Sequence, residues 1–281
     1  MSAGDKRSPF GNDGPAHGRR RALAAGARGL LGGLAAAAAR GTAAQGQPSA
    51  GATPAPGDVG RKFNADGTVR PFAGNTFIGR IPQQGARFAV FDTLLDAYRE
   101  VPASRFARKL TMLPPSSYHV TLFGGVNDAD RNTPKWASPA PHDTPIDKLD
   151  ALYLDRLRRA ARPARRGFEF ACGAPPEPGA DGTLHIPLRP ADAATQSRLR
   201  ALRDELSALT GIRRPDHDRY EYHVTLGYLY GFLDESEASE MRKATASWMQ
   251  RLERLGTPIL IPSFHFCTFR DMFAFEEKWE V

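Results

Sequence analysis

A chain of 281 residues suits one large domain or two modest ones, with ample length for a hydrophobic core. Its formal charge of +7 suggests an anionic macromolecular partner, yet residues 1–44 hold seven basic residues against Asp5 and Asp13, a net of +5 that leaves +2 for the rest. The basic balance belongs to the leader and gives no support to nucleic-acid binding by the remainder.

That leader has the form of an export signal. Arg19-Arg20-Arg21 precedes an apolar, Ala- and Gly-rich run from Ala22 to Ala39, and Thr42-Ala43-Ala44 offers small residues for cleavage. The arginine cluster and Arg28 inside the weakly apolar run resemble a twin-arginine signal, so a periplasmic or exported protein is expected, or a cytoplasmic one if residues 1–44 are not a signal. No other stretch approaches the ~20 apolar residues of a membrane span. Residues 45–60, with three Pro and four Gly, are expected to form a flexible linker before a folded region over 61–281.

From Arg61 onward the elements come twice. Thr76–Pro82 is a strand, followed by a helix with Phe88, Phe91, Leu94, Leu95 and Tyr98 at helical spacing. A Pro-rich loop leads to a strand at Tyr118–Leu122. Thr144-Pro145 supplies an N-cap and a first-turn proline for a helix burying Ile146, Leu149, Tyr153 and Leu157, and Phe168–Cys172 is the next strand. The second pass opens with a strand at Thr183–Leu188 and a helix carrying Leu199, Leu202, Leu206 and Leu209, stopped at Gly211. A strand from Tyr222 to Tyr230 follows, then a helix opened by an Asp234/Glu237 capping box and a long strand from Ile259 to Phe269. The expected fold class is α+β: two pseudo-symmetric lobes, about 74–173 and 182–269, each a small sheet with helices, around a central cleft.

The sharpest signal is the pentapeptide Tyr-His-Val-Thr-Leu, present at 118–122 and again at 222–226. In a strand, residues i and i+2 share a face, so His119 stands beside Thr121 and His223 beside Thr225. Imidazole is the side chain best matched to proton transfer near neutral pH. Two of them across a cleft suit displacement at phosphorus, one as base and one as acid, with the threonine hydroxyls donating to phosphoryl oxygens. This scheme needs no metal and no cofactor.

At these residues the sequence resembles the 2H phosphoesterase superfamily, whose signature is two His-x-Thr/Ser motifs, each followed by an apolar residue. The resemblance covers about residues 61–281 and is closest to an exported bacterial branch. It implies a phosphoric diester hydrolase acting on a 2',3'-cyclic phosphate, a 2',5'-linked oligonucleotide or a related nucleotide, with His119, Thr121, His223 and Thr225 carrying the reaction. The rival readings are a periplasmic binding protein that captures a phosphorylated ligand without turnover, and an intracellular RNA 2',5'-ligase or RNA-end processing enzyme.

Beyond the motifs, Arg213, Arg214 and Arg219 lead into the second and are candidate phosphate ligands, as are Arg105, Arg108 and Lys109 before the first. Trp136, in the Pro-rich loop 127–143, is a candidate base-stacking residue or a loop anchor. His185 and His265 are expected to be structural, Tyr118 and Tyr222 to pack in the core, and Cys172 and Cys267 to be buried free thiols. Metal-binding Cys/His spacings, a Walker loop, a dinucleotide fingerprint and a Gly-x-Ser-x-Gly elbow are absent. A monomer acting on a small nucleotide or oligonucleotide is expected.

Overall fold

In the computed structural model, residues 54–160, 166–179 and 181–281 are described. The expected leader 1–44 and residues 45–53 of the expected linker lie outside them. The described part of that linker is hydrogen-bonded, the Val59 amide to the Pro56 carbonyl at 3.0 Å and the Gly60 amide to the Phe63 carbonyl at 2.7 Å. The carbonyl of Asp58 accepts from the amides of Lys62 and Phe63, and its carboxylate accepts from Arg61 and Lys62 at 2.9 and 3.1 Å. Phe63, bridged to Val59 and Val69, is buried.

The first half runs β1 (Gly74–Arg80), α1 (Phe88–Glu100), β2 (Leu110–Met112), β3 (His119–Asn127), α2 (Ile146–Arg159) and β4 (Arg166–Cys172). The second runs β5 (Thr183–Pro190), α3 (Ala193–Thr210), β6 (Tyr222–Leu229), α4 (Glu235–Arg254), β7 (Ile259–Ser263), β8 (His265–Phe269) and β9 (Phe275–Glu280). The mixed α+β class is as expected. In place of one small sheet per lobe, however, there is a single antiparallel sheet in the order β7-β4-β5-β6-β3-β1-β8-β9, with β2 also on β6.

Two strands change sides to make it continuous. β4, which closes the first half, lies between β5 and β7 of the second, and β8 of the second lies beside β1 of the first. The long strand expected over 259–269 is broken at Phe264, which is fully buried, so that β7 pairs with β4 and β8 with β1. Hydropathy runs straight through this break because both segments are apolar. Only the change of partner reveals it.

The two motif strands meet through one residue pair, Val120 of β3 opposite Val224 of β6. Both valines are buried, and the flanking His and Thr residues point to the other face. Each motif strand also carries a bulge at the same letter. Ile78 pairs with Thr121 but Phe77 with Phe123, leaving Leu122 as the extra residue; His185 pairs with Thr225 but Leu184 with Gly227, leaving Leu226.

Helix ends follow local chemistry. Asp192 caps α3 by accepting from the Thr195 amide at 2.6 Å, Gly211 takes the left-handed conformation at φ 76° that stops it, and Asp234 and Glu237 form the full capping box of α4. The α2 helix starts one residue later than expected, since Pro145 is the cap and its carbonyl accepts from Lys148 and Leu149. Helices α1 and α4 are tied where Glu100 accepts from the Trp248 indole at 2.8 Å and from Arg251 at 2.7 Å. Cys172 and Cys267 are free and buried. Among the described residues, no helix is long and apolar enough to cross a membrane.

Arg203 of α3 is 3% exposed and donates to the carbonyls of Leu122, the bulged residue of β3, and His217. Replacing it leaves two buried carbonyls without donors. We expect Arg203→Met to lose about 2–4 kcal/mol in urea denaturation, with Arg203→Lys recovering only part of that loss.

Candidate active site

His119, Thr121, His223 and Thr225 all line one cavity of about 540 Å³. The Val120–Val224 pairing sets this: in an antiparallel pair the neighbours of each valine alternate to the opposite face, bringing His119 beside Thr225 and Thr121 beside His223. After their bulges, β3 presents Gly124 and Gly125 to the cavity and β6 presents Tyr228. The Tyr residues of both pentapeptides are buried in the core, as expected.

Both imidazoles are fixed by the backbone. The His119 Nδ1–H donates to the carbonyl of Ser117 at 2.6 Å, which makes Nε2 the nitrogen with the free lone pair, and its ring meets Phe275 edge-on at 4.6 Å between centroids. His223 has a matching backbone hydrogen bond to Glu221, again two residues earlier in the chain. Burial pushes both rings down from the ordinary 6.5 to about 4. For His119 the backbone bond to Ser117 opposes this, while Arg80 and His223 add to it. For His223 the neighbouring His185 adds to it, and Asp181 opposes it. Both rings are therefore neutral near pH 7.

A cationic wall faces them. Arg61, Lys62, Lys135 and Arg214 line the cavity, against the acidic residues Asp130 and Asp216. Arg61 is held by Asp58 at 2.9 Å and Asp130 at 2.6 Å, and Arg214 by the Gly125 carbonyl at 2.7 Å. The Lys62 ammonium lies 4.4 Å from the Tyr228 ring centroid and 3.1 Å from Asp58. Burial opposes its charge, but Tyr228 and Asp58 together outweigh burial and raise its pKa. Phe72, Leu113, Phe269, Met272 and Phe275 make the apolar remainder of the lining.

Residues 62–173 match the family model described as 2H-phosphodiesterase, a domain of unknown function (DUF1868). The resemblance carried by the paired His-x-Thr motifs is thus borne out at the level of the superfamily. A conserved protein of unknown function from Agrobacterium tumefaciens has the same fold, at 26% identity and a TM-score of 0.71, over 83% of this chain and 95% of that one. A Thermus thermophilus protein (18% identity, TM-score 0.39, 73% of this chain and 96% of its own) and a phosphoesterase (11%, 0.38, 75% and 98%) are more distant. No curated protein matches the chain.

The matched segment carries the first motif, and the second lies beyond it in β6. Of the other candidate ligands, only Arg214 reaches the cavity. Arg213 is paired with Asp218 at 2.9 Å on the surface, and Arg219 lines a separate pocket that also touches His223. Trp136 cannot stack on a ligand: it is 3% exposed, its indole N–H donates to the Ala140 carbonyl at 3.0 Å, and Arg131 covers its ring, so it anchors the loop. Lys109 and Arg105 turn away to Glu237 and Ser236 at the start of α4. The sequence reading missed Arg61, Lys62 and Lys135. Two of these come before the first strand and one lies in the Pro-rich loop, so no motif points to them.

Because both rings titrate below 6.5 in the fold, the unfolded chain binds more protons between about pH 6.5 and pH 4. Their contribution to stability is complete above about pH 6.5 and is lost as the pH falls toward 4, on the order of 3 kcal/mol per ring. Urea midpoints measured from pH 7 to pH 4 should show this fall, and a His119→Gln, His223→Gln variant should show a much shallower one.

Proposed function

We propose that this chain is a metal-independent phosphodiesterase that opens a cyclic or 2'-linked nucleotide phosphate by paired-histidine acid–base catalysis. The observation that carries this reading is the convergence of both His-Thr pairs on one cavity with a cationic wall. The 2H-phosphodiesterase match supports a phosphodiesterase-like activity independently.

In hydrolysis, one neutral imidazole takes a proton from water as its oxygen bonds to phosphorus. The other ring must arrive protonated to release the leaving oxygen. An anionic phosphodiester in the cavity favours that proton, and Thr121 and Thr225 donate to the non-bridging oxygens as charge builds. Arg214, Lys62 and Arg61 balance the phosphate charge, while the Phe72, Tyr228 and Phe275 rings suit a nucleobase. Two imidazoles supply the proton transfers and the cations supply the charge, so the scheme has no step that calls for a metal. The expected leader would send the enzyme to the periplasm.

A screen of 2',3'-cyclic nucleotides and 2',5'-linked dinucleotides in EDTA should reveal activity. His119→Ala and His223→Ala should each lower kcat by about 100-fold to 10,000-fold. Since the free pair holds few protons at pH 7, kcat/KM should rise as the pH is lowered from 7 toward about 5. Full activity in the double alanine variant would sink the proposal, and loss in EDTA would refute its metal independence.

A further inference from the structure

The two motifs are identical in sequence, but their neighbours are not. On β1, Arg80 is opposite His119 and Ile78 opposite Thr121; on β5, Pro187 is opposite His223 and His185 opposite Thr225. His119 therefore has the Arg80 guanidinium beside it, itself paired with Glu277 at 2.6 Å, whereas His223 has a third imidazole. The His185 ring centroid lies 5.1 Å from that of His223, on the same face of the sheet.

His185 is itself held in one tautomer. The Thr183 hydroxyl lies 2.8 Å from both Asp181 carboxylate oxygens and 2.8 Å from His185 Nδ1. Its single proton goes to the carboxylate, so its oxygen accepts from the His185 Nδ1–H and leaves Nε2 free to take a proton. Behind these residues is a second pocket of about 620 Å³, distinct from the substrate cavity, lined by Asp181, His185, Glu221 and His223 among others. His223 thus stands in the wall between two pockets. The charged groups facing the pair are Asp181 and Glu221 around His185, with Lys62 on the cavity side of His223. Glu177, Asp216, Arg219 and Tyr220 also line the pocket.

We propose that His185 is a positioning residue that returns the proton to His223 from solvent in this second pocket, which makes His223 the acid and His119 the base in hydrolysis. The inference rests on the phosphodiesterase reading above. In the balanced step, water gives a proton to His119 Nε2 and its oxygen bonds to phosphorus. The bond from phosphorus to the leaving oxygen breaks, and that oxygen takes the proton of His223. His119 then releases its proton to solvent, and His223 regains one from solvent through His185 Nε2.

The test compares wild type with His185→Gln and Thr183→Val on a substrate that the wild type turns over. The expected result is a kcat lowered roughly 10-fold in His185→Gln with KM unchanged, a smaller drop in Thr183→Val, and recovery of His185→Gln by added imidazole. In nitrogen-15 titrations by NMR, the midpoint of His223 should move in His185→Gln while that of His119 stays. An unchanged kcat, a drop that imidazole does not restore, or an unmoved His223 midpoint would each overturn the relay. Wild type inactive on every phosphodiester removes the underlying function and the relay together, and the wild-type control alone reads that outcome.

Discussion

The pairing of Val120 with Val224 is the constraint on which the candidate site depends. It is one residue pair, yet it decides that the two His-Thr sets share a face and lie within reach of one ligand. One pair cannot hold two halves of a protein together, and the fold does not ask it to. Each half of the sheet is completed by a strand from the other half, β4 beside β5 and β8 beside β1. Separating the halves would break those ladders first. Further ties cross the same seam: β2 occupies the edge of β6 beyond the junction, the Leu113 amide donates to the Leu226 carbonyl at 2.8 Å, and Arg203 ties α3 to the bulge of β3.

The electrostatics of the cavity follow from what is buried there. Imidazoles enclosed by aromatic and aliphatic walls give up their charge, while the guanidinium groups of Arg61 and Arg214 are each met by an oxygen acceptor. Asp130 serves both, at 2.6 Å from Arg61 and 3.8 Å from Arg214, and is itself buried. The cavity is thus positive without protonated histidine. On the proposed reading, a phosphate entering it would meet fixed cations and two neutral rings, and its own charge would shift one ring toward the protonated form.

Most of the local order was legible in the sequence because it rests on local causes. The caps at Asp234, Glu237 and Gly211, the alternation of His, Val and Thr, and the burial of Tyr118 and Tyr222 all depend on residues within a few positions of one another. What escaped depends on partners far along the chain. The division of 259–269 into β7 and β8 is a change of neighbour, not of composition. The short strand β2 exists because β6 offers it an edge, and β9 because β8 does. Trp136 has the composition of a stacking residue and the surroundings of a loop anchor, a difference set by the fold around it. Arg61 and Lys62 enter the cavity because Asp58 and Asp130 hold them there, a tertiary fact that spacing does not encode.

The pentapeptide repeat also gains a physical account of its length. His and Thr are the chemical letters, and Val supplies the junction, but the final Leu does more than fill the core. In both strands it is the bulged residue, fully buried and left over by the partner strand. A bulge immediately after the threonine bends each strand and shifts its pleat by one residue. Gly124 and Tyr228 consequently line the same cavity as the motif side chains, where an unbroken alternation would place Phe123 and Gly227 on the motif face. A bulky Phe123 beside Thr121 would occupy the volume that a ligand needs. It instead packs in the core against Phe77 at 5.6 Å, leaving a glycine at the cavity wall. The same five letters, placed twice, therefore bring the two His-Thr pairs together, join the two motif strands and clear the space between them.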